Sequence, residues 1–99
     1  MPENHIRVVA RFAAKPERAE EVKQILTELI APTRAEDGCI TYELLQNTAD
    51  PTDLTFVEEW TSKDALDKHL ATEHIRRCRE QLNGLLQNET DIRIYSLVR

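Results

Sequence analysis

Residues 56–74, FVEEWTSKDALDKHLATEH, hold the only tryptophan of the chain and two of its three histidines. Trp60 offers a large flat wall with one N–H donor. His69 offers an imidazole whose ordinary pKa lies in the range useful for proton transfer. It falls three residues after Leu66 and one before Leu70, so a helix here turns it to the apolar side. On that side His69 can accept a substrate proton, or bond a backbone carbonyl as a half-buried core residue. Trp60 likewise reads either as a pocket wall or as packing at a strand end. Glu58 alternates with Trp60 on one strand face and Glu59 points the other way. A carboxylate turned inward has a raised pKa and can handle a proton. The plainer alternative is an ion pair with Arg7 or Arg11 of a neighbouring strand.

Tyr42 lies mid-strand, where its phenol can orient a substrate hydroxyl or serve as packing. His74 is five residues after His69, so the two need not share a helix face, and no His-x-x-x-His pair exists. With His5 far away and no acidic cluster at ligand spacing, no metal site is expected. Cys39 and Cys78 form no CxxC pair and read as reduced thiols. Gly38 and Gly84 are the only glycines, which excludes a Gly-rich phosphate loop. Ser62 looks committed to helix capping and Ser96 has no evident base, so no nucleophilic triad stands out. No cofactor motif is present.

The elements that must position these residues follow from periodicity. Residues 5–13 alternate, with Ile6, Val8, Ala10 and Phe12 on one face, and predict a strand. Pro16 opens a helix in which Val22, Ile25, Leu26, Leu29 and Ile30 form an apolar stripe. Pro32 limits that helix to about one further turn. Residues 39–47 and 54–61 predict a hairpin across the turn-rich loop NTADPTD. Thr61-Ser62-Lys63-Asp64 is a capping signal for a short helix bearing His69. Thr72 caps a further helix running to about Leu86, and residues 90–98 make a final strand.

Strand, helix, strand, strand, helix pair, strand is the split β-α-β order of an α+β, ferredoxin-like fold. It predicts one domain over residues 1–99, with a four-stranded antiparallel sheet and helices on one face. The other face carries Val9, Leu45, Val57, Tyr95 and Leu97. A sheet with two apolar faces and helices for one needs a second cover, and a two-fold homodimer supplies it.

A chain of 99 residues buries only about 65% of its unfolded surface, so its core is small and part of any pocket is expected from a partner subunit. The net charge of −5 and the scattered basic residues argue against nucleic acid or an anionic membrane as partner. No apolar run approaches the roughly 20 residues of a membrane span. The first residues lack a signal-peptide layout, so a cytoplasmic location is the expectation.

Several short pieces resemble the antibiotic biosynthesis monooxygenase family, and most closely its small quinol-monooxygenase-like members. They are Val9-Ala10-Arg11-Phe12 with Lys15-Pro16, then Glu36-x-Gly38-Cys39-x-x-Tyr42, then Glu59-Trp60-Thr61-Ser62 with Ala65-Leu66, His69 and His74. The resemblance runs nearly end to end and implies a dimeric α+β barrel. It also implies cofactor-independent oxygenation of a quinol-like or polycyclic aromatic, in which the deprotonated substrate itself reduces O₂. On that likeness His69 accepts the substrate proton, Trp60 lines the pocket and Tyr42 stabilises the oxyanion, while Val9, Arg11, Glu58 and His74 contact substrate.

Two related branches compete. Haem-degrading members use a first-strand Asn, but Val9 stands at that place and Asn4 comes too early. Members that isomerise a phosphorylated sugar need a cation for phosphate, for which Arg34 or Arg11 could serve. A non-catalytic dimeric module binding a small ligand is the alternative from another class.

Overall fold

The computed structural model describes residues 5–99. Asn4, weighed above for a haem site, lies outside them. Four strands, β1 (Ile6–Ala13), β2 (Cys39–Asn47), β3 (Asp50–Trp60) and β4 (Asp91–Ser96), form one antiparallel sheet in the order β2-β3-β1-β4. Four α-helices, α1 (Ala19–Thr27), α2 (Ile30–Arg34), α3 (Lys63–Leu70) and α4 (Glu73–Leu82), accompany it. This is the α+β, ferredoxin-like architecture that the element order predicts.

Alternation decides which side chains enter the core. Val8 and Ala10 of β1, Tyr42 of β2, and Leu54, Phe56, Glu58 and Trp60 of β3 are all buried on one face. The register pairs Val8 with Glu58 and Glu58 with Tyr42, which aligns these three across adjacent strands. Val22, Leu26, Leu29, Leu66, Ile75, Cys78 and Leu82 close the core from the helices. Both cysteines are free.

Element ends depart from their expected places for local reasons. Pro16–Arg18 form a 3-10 turn before α1, and the chain resumes as α2 with Pro32 inside it. β3 begins at Asp50 rather than Leu54, so most of the predicted loop continues the ladder. α4 stops at Leu82 rather than near Leu86. Gly84 then takes φ 83°, and Leu86 is drawn into a bridge with Ala14.

Two caps fix the segment that holds the histidines. Ser62 Oγ accepts from the Ala65 backbone N–H at 3.1 Å at the start of α3. Thr72 Oγ1 accepts from the Ile75 N–H at 3.4 Å at the start of α4 and donates to the His69 carbonyl at 2.8 Å. The end of α3 is thereby tied to the start of α4. Gly38 sets the opposite wall. It has φ 87°, and an added Cβ would lie 2.6 Å from Ala65 Cβ and 2.8 Å from Thr61 Oγ1. Only glycine lets the turn after α2 approach α3 so closely.

Candidate functional site

Between the helix-facing side of the sheet and helices α3 and α4 lies a cavity of about 60 Å³. Val8, Ala10, Phe12, Phe56, Leu66 and Ile75 give it apolar walls, and Tyr42, Glu58 and His69 supply its buried polar groups. Arg79, Thr90 and Ile92 also line it. Ile92 and Ile94 share the helix-facing side of β4 but stay substantially exposed, because no helix covers that edge of the sheet.

His69 is held from three directions. Its ring centroid lies 4.7 Å from that of Trp60 and 5.6 Å from that of Tyr42, the latter edge-on. Its Nδ1 is 2.8 Å from Glu36 Oε2, which leaves Nε2 as the nitrogen available to a substrate. Burial holds its pKa below the ordinary value, because charging the ring would cost solvation, while the Glu36 carboxylate opposes that shift.

Glu58 is only 6% exposed and accepts a hydrogen bond from Trp60 Nε1 at 2.8 Å. Burial raises its pKa to about 7, against the lowering effect of that bond. The ion pair expected of a strand carboxylate falls instead to Glu59, which meets His5 Nδ1 at 2.9 Å and Arg7 Nε at 3.4 Å on the other face. Tyr42 stacks on Phe56, with ring centroids 4.4 Å apart. Its phenol is pushed well above the ordinary range, mainly by burial and then by Glu58. Thr33, in α2, has the one buried hydroxyl without a partner among the described residues.

Three of the seven expected site residues, Tyr42, Glu58 and His69, line the cavity. Trp60 does not. It is fully buried behind His69, where it braces the ring and orients Glu58. His74 lies on the outer side of His69, its Nε2 2.6 Å from Glu36 Oε2, and borders a shallow depression with Glu28, Pro32 and Arg77. Val9 and Arg11 are on the opposite sheet face and away from the cavity, since their neighbours Val8 and Ala10 point inward. Arg11 Nε pairs with Asp53 Oδ1 at 3.1 Å.

Glu36 and Arg79 escaped the sequence reading as site residues. Glu36 sits in an exposed-looking turn motif, and nothing local shows that its carboxylate meets two histidines some 35 positions away. Arg79 sits among charged neighbours on α4, and the apolar spacing of Ile75, Cys78 and Leu82 around it is the sign that the helix turns inward there. The expectation of no metal-ligand grouping rested on spacing alone. Folding places ligand atoms of Glu36, His69 and His74 within 4.8 Å of one another, a set able to hold a metal ion.

The model of the antibiotic biosynthesis monooxygenase family matches residues 5–81. The chain belongs to that family. A Mycobacterium tuberculosis protein provisionally named a monooxygenase is 38% identical over 81 residues, covering 82% of this chain and 79% of that protein. A Pseudomonas aeruginosa crystal structure superposes with a TM-score of 0.92 at 32% identity, covering 100% of this chain and 99% of that one. A conserved Methanosarcina mazei protein superposes with a TM-score of 0.89 at 37% identity, over 96% and 94% of the two chains. Among the described residues of this family member, no helix is long and apolar enough to cross a membrane.

Proposed function

We propose that this protein is a cofactor-independent monooxygenase that oxidises a quinol-like aromatic with O₂. The observation that carries the reading is the cavity itself, in which His69, Tyr42 and Glu58 meet between apolar walls. In the overall reaction a quinol and O₂ give a hydroxyquinone and water. One oxygen atom forms the new C–O bond, and the other leaves as water with two protons.

In this reading Nε2 of His69 takes the phenolic proton, and Glu36 holds the ring through Nδ1. The phenolate then delivers electrons to O₂. The Tyr42 hydroxyl, kept protonated by its surroundings, donates to the developing oxyanion. Glu58 is a second proton-handling group on the facing wall. Trp60 acts as a positioning residue for both His69 and Glu58 rather than as the pocket wall. The apolar lining keeps water from the electron-rich intermediate.

A sheet-to-sheet homodimer completes the proposal. It would cover Leu45, Val57, Tyr95 and Leu97, which the helices leave open.

Mixing the protein anaerobically with hydroquinones and then admitting O₂ tests the activity. Oxygen consumption above the uncatalysed rate, with hydroxyquinone formed in equal amount, is the expected result. Uptake no faster than without protein across a quinol panel overturns it. Arg79 favours a second reading, an isomerase of a small phosphorylated sugar, because it places a cation at the cavity. The earlier candidates do not serve. Arg34 spends Nε and Nη2 on the Tyr42 carbonyl, and Arg11 faces away. Turnover of a sugar phosphate without oxygen dependence would select that reading.

A further inference from the structure

We infer that Glu36, His69 and His74 form a binding site for a divalent transition-metal ion of the zinc, cobalt and nickel class. Three elements contribute one ligand each: the turn between α2 and β2, the last turn of α3 and the first turn of α4. A single oxygen, Glu36 Oε2, stands 2.8 Å from His69 Nδ1 and 2.6 Å from His74 Nε2, and all three ligand atoms lie within 4.8 Å.

The parts that carry these atoms are held in place. The Glu36 N–H donates to the Thr33 carbonyl at 3.0 Å, and the Glu36 carbonyl accepts from the Cys39 N–H at 3.3 Å. Gly38 locks the same turn against Ala65 and Thr61. The His69 ring is wedged between Trp60 and Tyr42. The Thr72 hydroxyl bridges the His69 carbonyl and the Ile75 N–H, which fixes how α3 and α4 meet.

Metal–ligand bonds of about 2.0–2.2 Å put neighbouring ligand atoms on one tetrahedral ion roughly 3.4 Å apart. Glu36 therefore needs to withdraw its oxygen by less than about 1 Å, and the two histidine nitrogens, which lie within 4.8 Å of each other, need to close by up to about 1.4 Å, which rotation of the Glu36 stem and of the part-exposed His74 ring supplies. An ion between the ligands takes the place of the hydrogens that bridge them at present. Two imidazoles and one carboxylate suit zinc, cobalt or nickel better than magnesium or calcium, which favour all-oxygen sets. Three protein ligands leave a coordination position open. His74 and Glu36 keep 23% and 15% of their side-chain surface exposed, so the ion can enter from solvent on the side away from the cavity.

The site does not rest on the oxygenase reading: an ion on His69 Nδ1 leaves the ring proton on Nε2 and so blocks the proton acceptor proposed above, and its test needs no turnover. Tag-free protein is stripped with a chelator and titrated with Co²⁺, followed by visible absorption, and with Zn²⁺, followed by calorimetry. One ion per chain at micromolar affinity or tighter is expected, with the d–d bands of nitrogen and oxygen coordination. His74→Ala and Glu36→Ala should each weaken Zn²⁺ at least about tenfold while circular dichroism shows an intact fold, whereas His5→Ala should change nothing. No binding at micromolar Zn²⁺, or binding that both cluster variants leave unchanged, overturns the site. Loss of binding in His5→Ala overturns it too, since that places the ion at the His5–Glu59 pair.

Discussion

Trp60 donates its indole N–H to the carboxylate of Glu58 at 2.8 Å, two residues earlier on the same strand and on the same buried face. The contact explains how a carboxylate survives in an apolar cavity. One oxygen is satisfied by a neutral donor, and among the described residues no cation pairs with the carboxylate. The cost of burying that charge appears as the raised pKa.

Glu58 should make the folded state pH-sensitive. Its pKa rises from 4.5 to about 7 on folding, so between these values the native state binds more protons than the unfolded chain. Its contribution is therefore fully present below about pH 4.5, is lost as pH rises towards 7, and changes little above that. The loss is of the order of 3 kcal/mol. Glu58→Gln keeps an acceptor for Trp60 and removes the titration. The difference in unfolding free energy between variant and wild type should grow from pH 4.5 to 7 in the variant's favour, as measured by urea denaturation. A difference that stays constant with pH would contradict the assignment.

Trp60→Phe retains a ring behind His69 but removes the donor to Glu58. The Glu58 midpoint should move further up, because the bond that lowers it is gone. NMR titration of the carboxyl carbon reads this directly. An unchanged midpoint would show that Glu58 does not depend on the indole.

His69→Gln tests the proton acceptor. Loss of a positioned general base costs roughly 10²- to 10⁴-fold in rate. The fall should appear in kcat more than in KM, since the apolar walls that hold the ring are untouched. Steady-state oxygen uptake with a hydroquinone measures it. A variant with wild-type kcat would move the role to Glu58.

Gly38→Ala should destabilise the fold by about 2–4 kcal/mol, combining a left-handed backbone with a methyl forced against Ala65 and Thr61. Urea midpoints measure the loss. The turn carrying Glu36 should shift with it, so a stability loss below about 0.5 kcal/mol would mean the turn is not held as tightly as its contacts indicate.

The open face of the sheet should pair with a second copy. Sedimentation at micromolar concentration should give a dimer, and Leu45→Glu with Val57→Glu should give a monomer. These positions face outward beside Val9. A monomeric wild type would count against the sheet-to-sheet arrangement.

Alternation along residues 5–13, 39–47, 54–61 and 90–98 was enough to place four strands and to say which side chains share a face. The reason is that strand period and burial are local properties of a few neighbouring residues. The Ser62 and Thr72 caps were readable on the same ground, since each hydroxyl serves an N–H three residues ahead. So was the inward place of His69, set by its spacing from Leu66 and Leu70. The pairing of Glu36 with His69 and His74 belongs to another level. No period connects position 36 with 69, and the five-residue step from 69 to 74 spans two helices joined at an angle that Thr72 fixes. The withdrawal of Trp60 behind His69, and the placing of Val9 and Arg11 on the far side of the sheet from the cavity, are of the same kind. Sequence determined each element and which of its side chains share a face, because those follow from contacts within a turn or a pleat. Only the tertiary structure decided which polar groups meet, because that depends on how segments more than 30 residues apart are brought against one another.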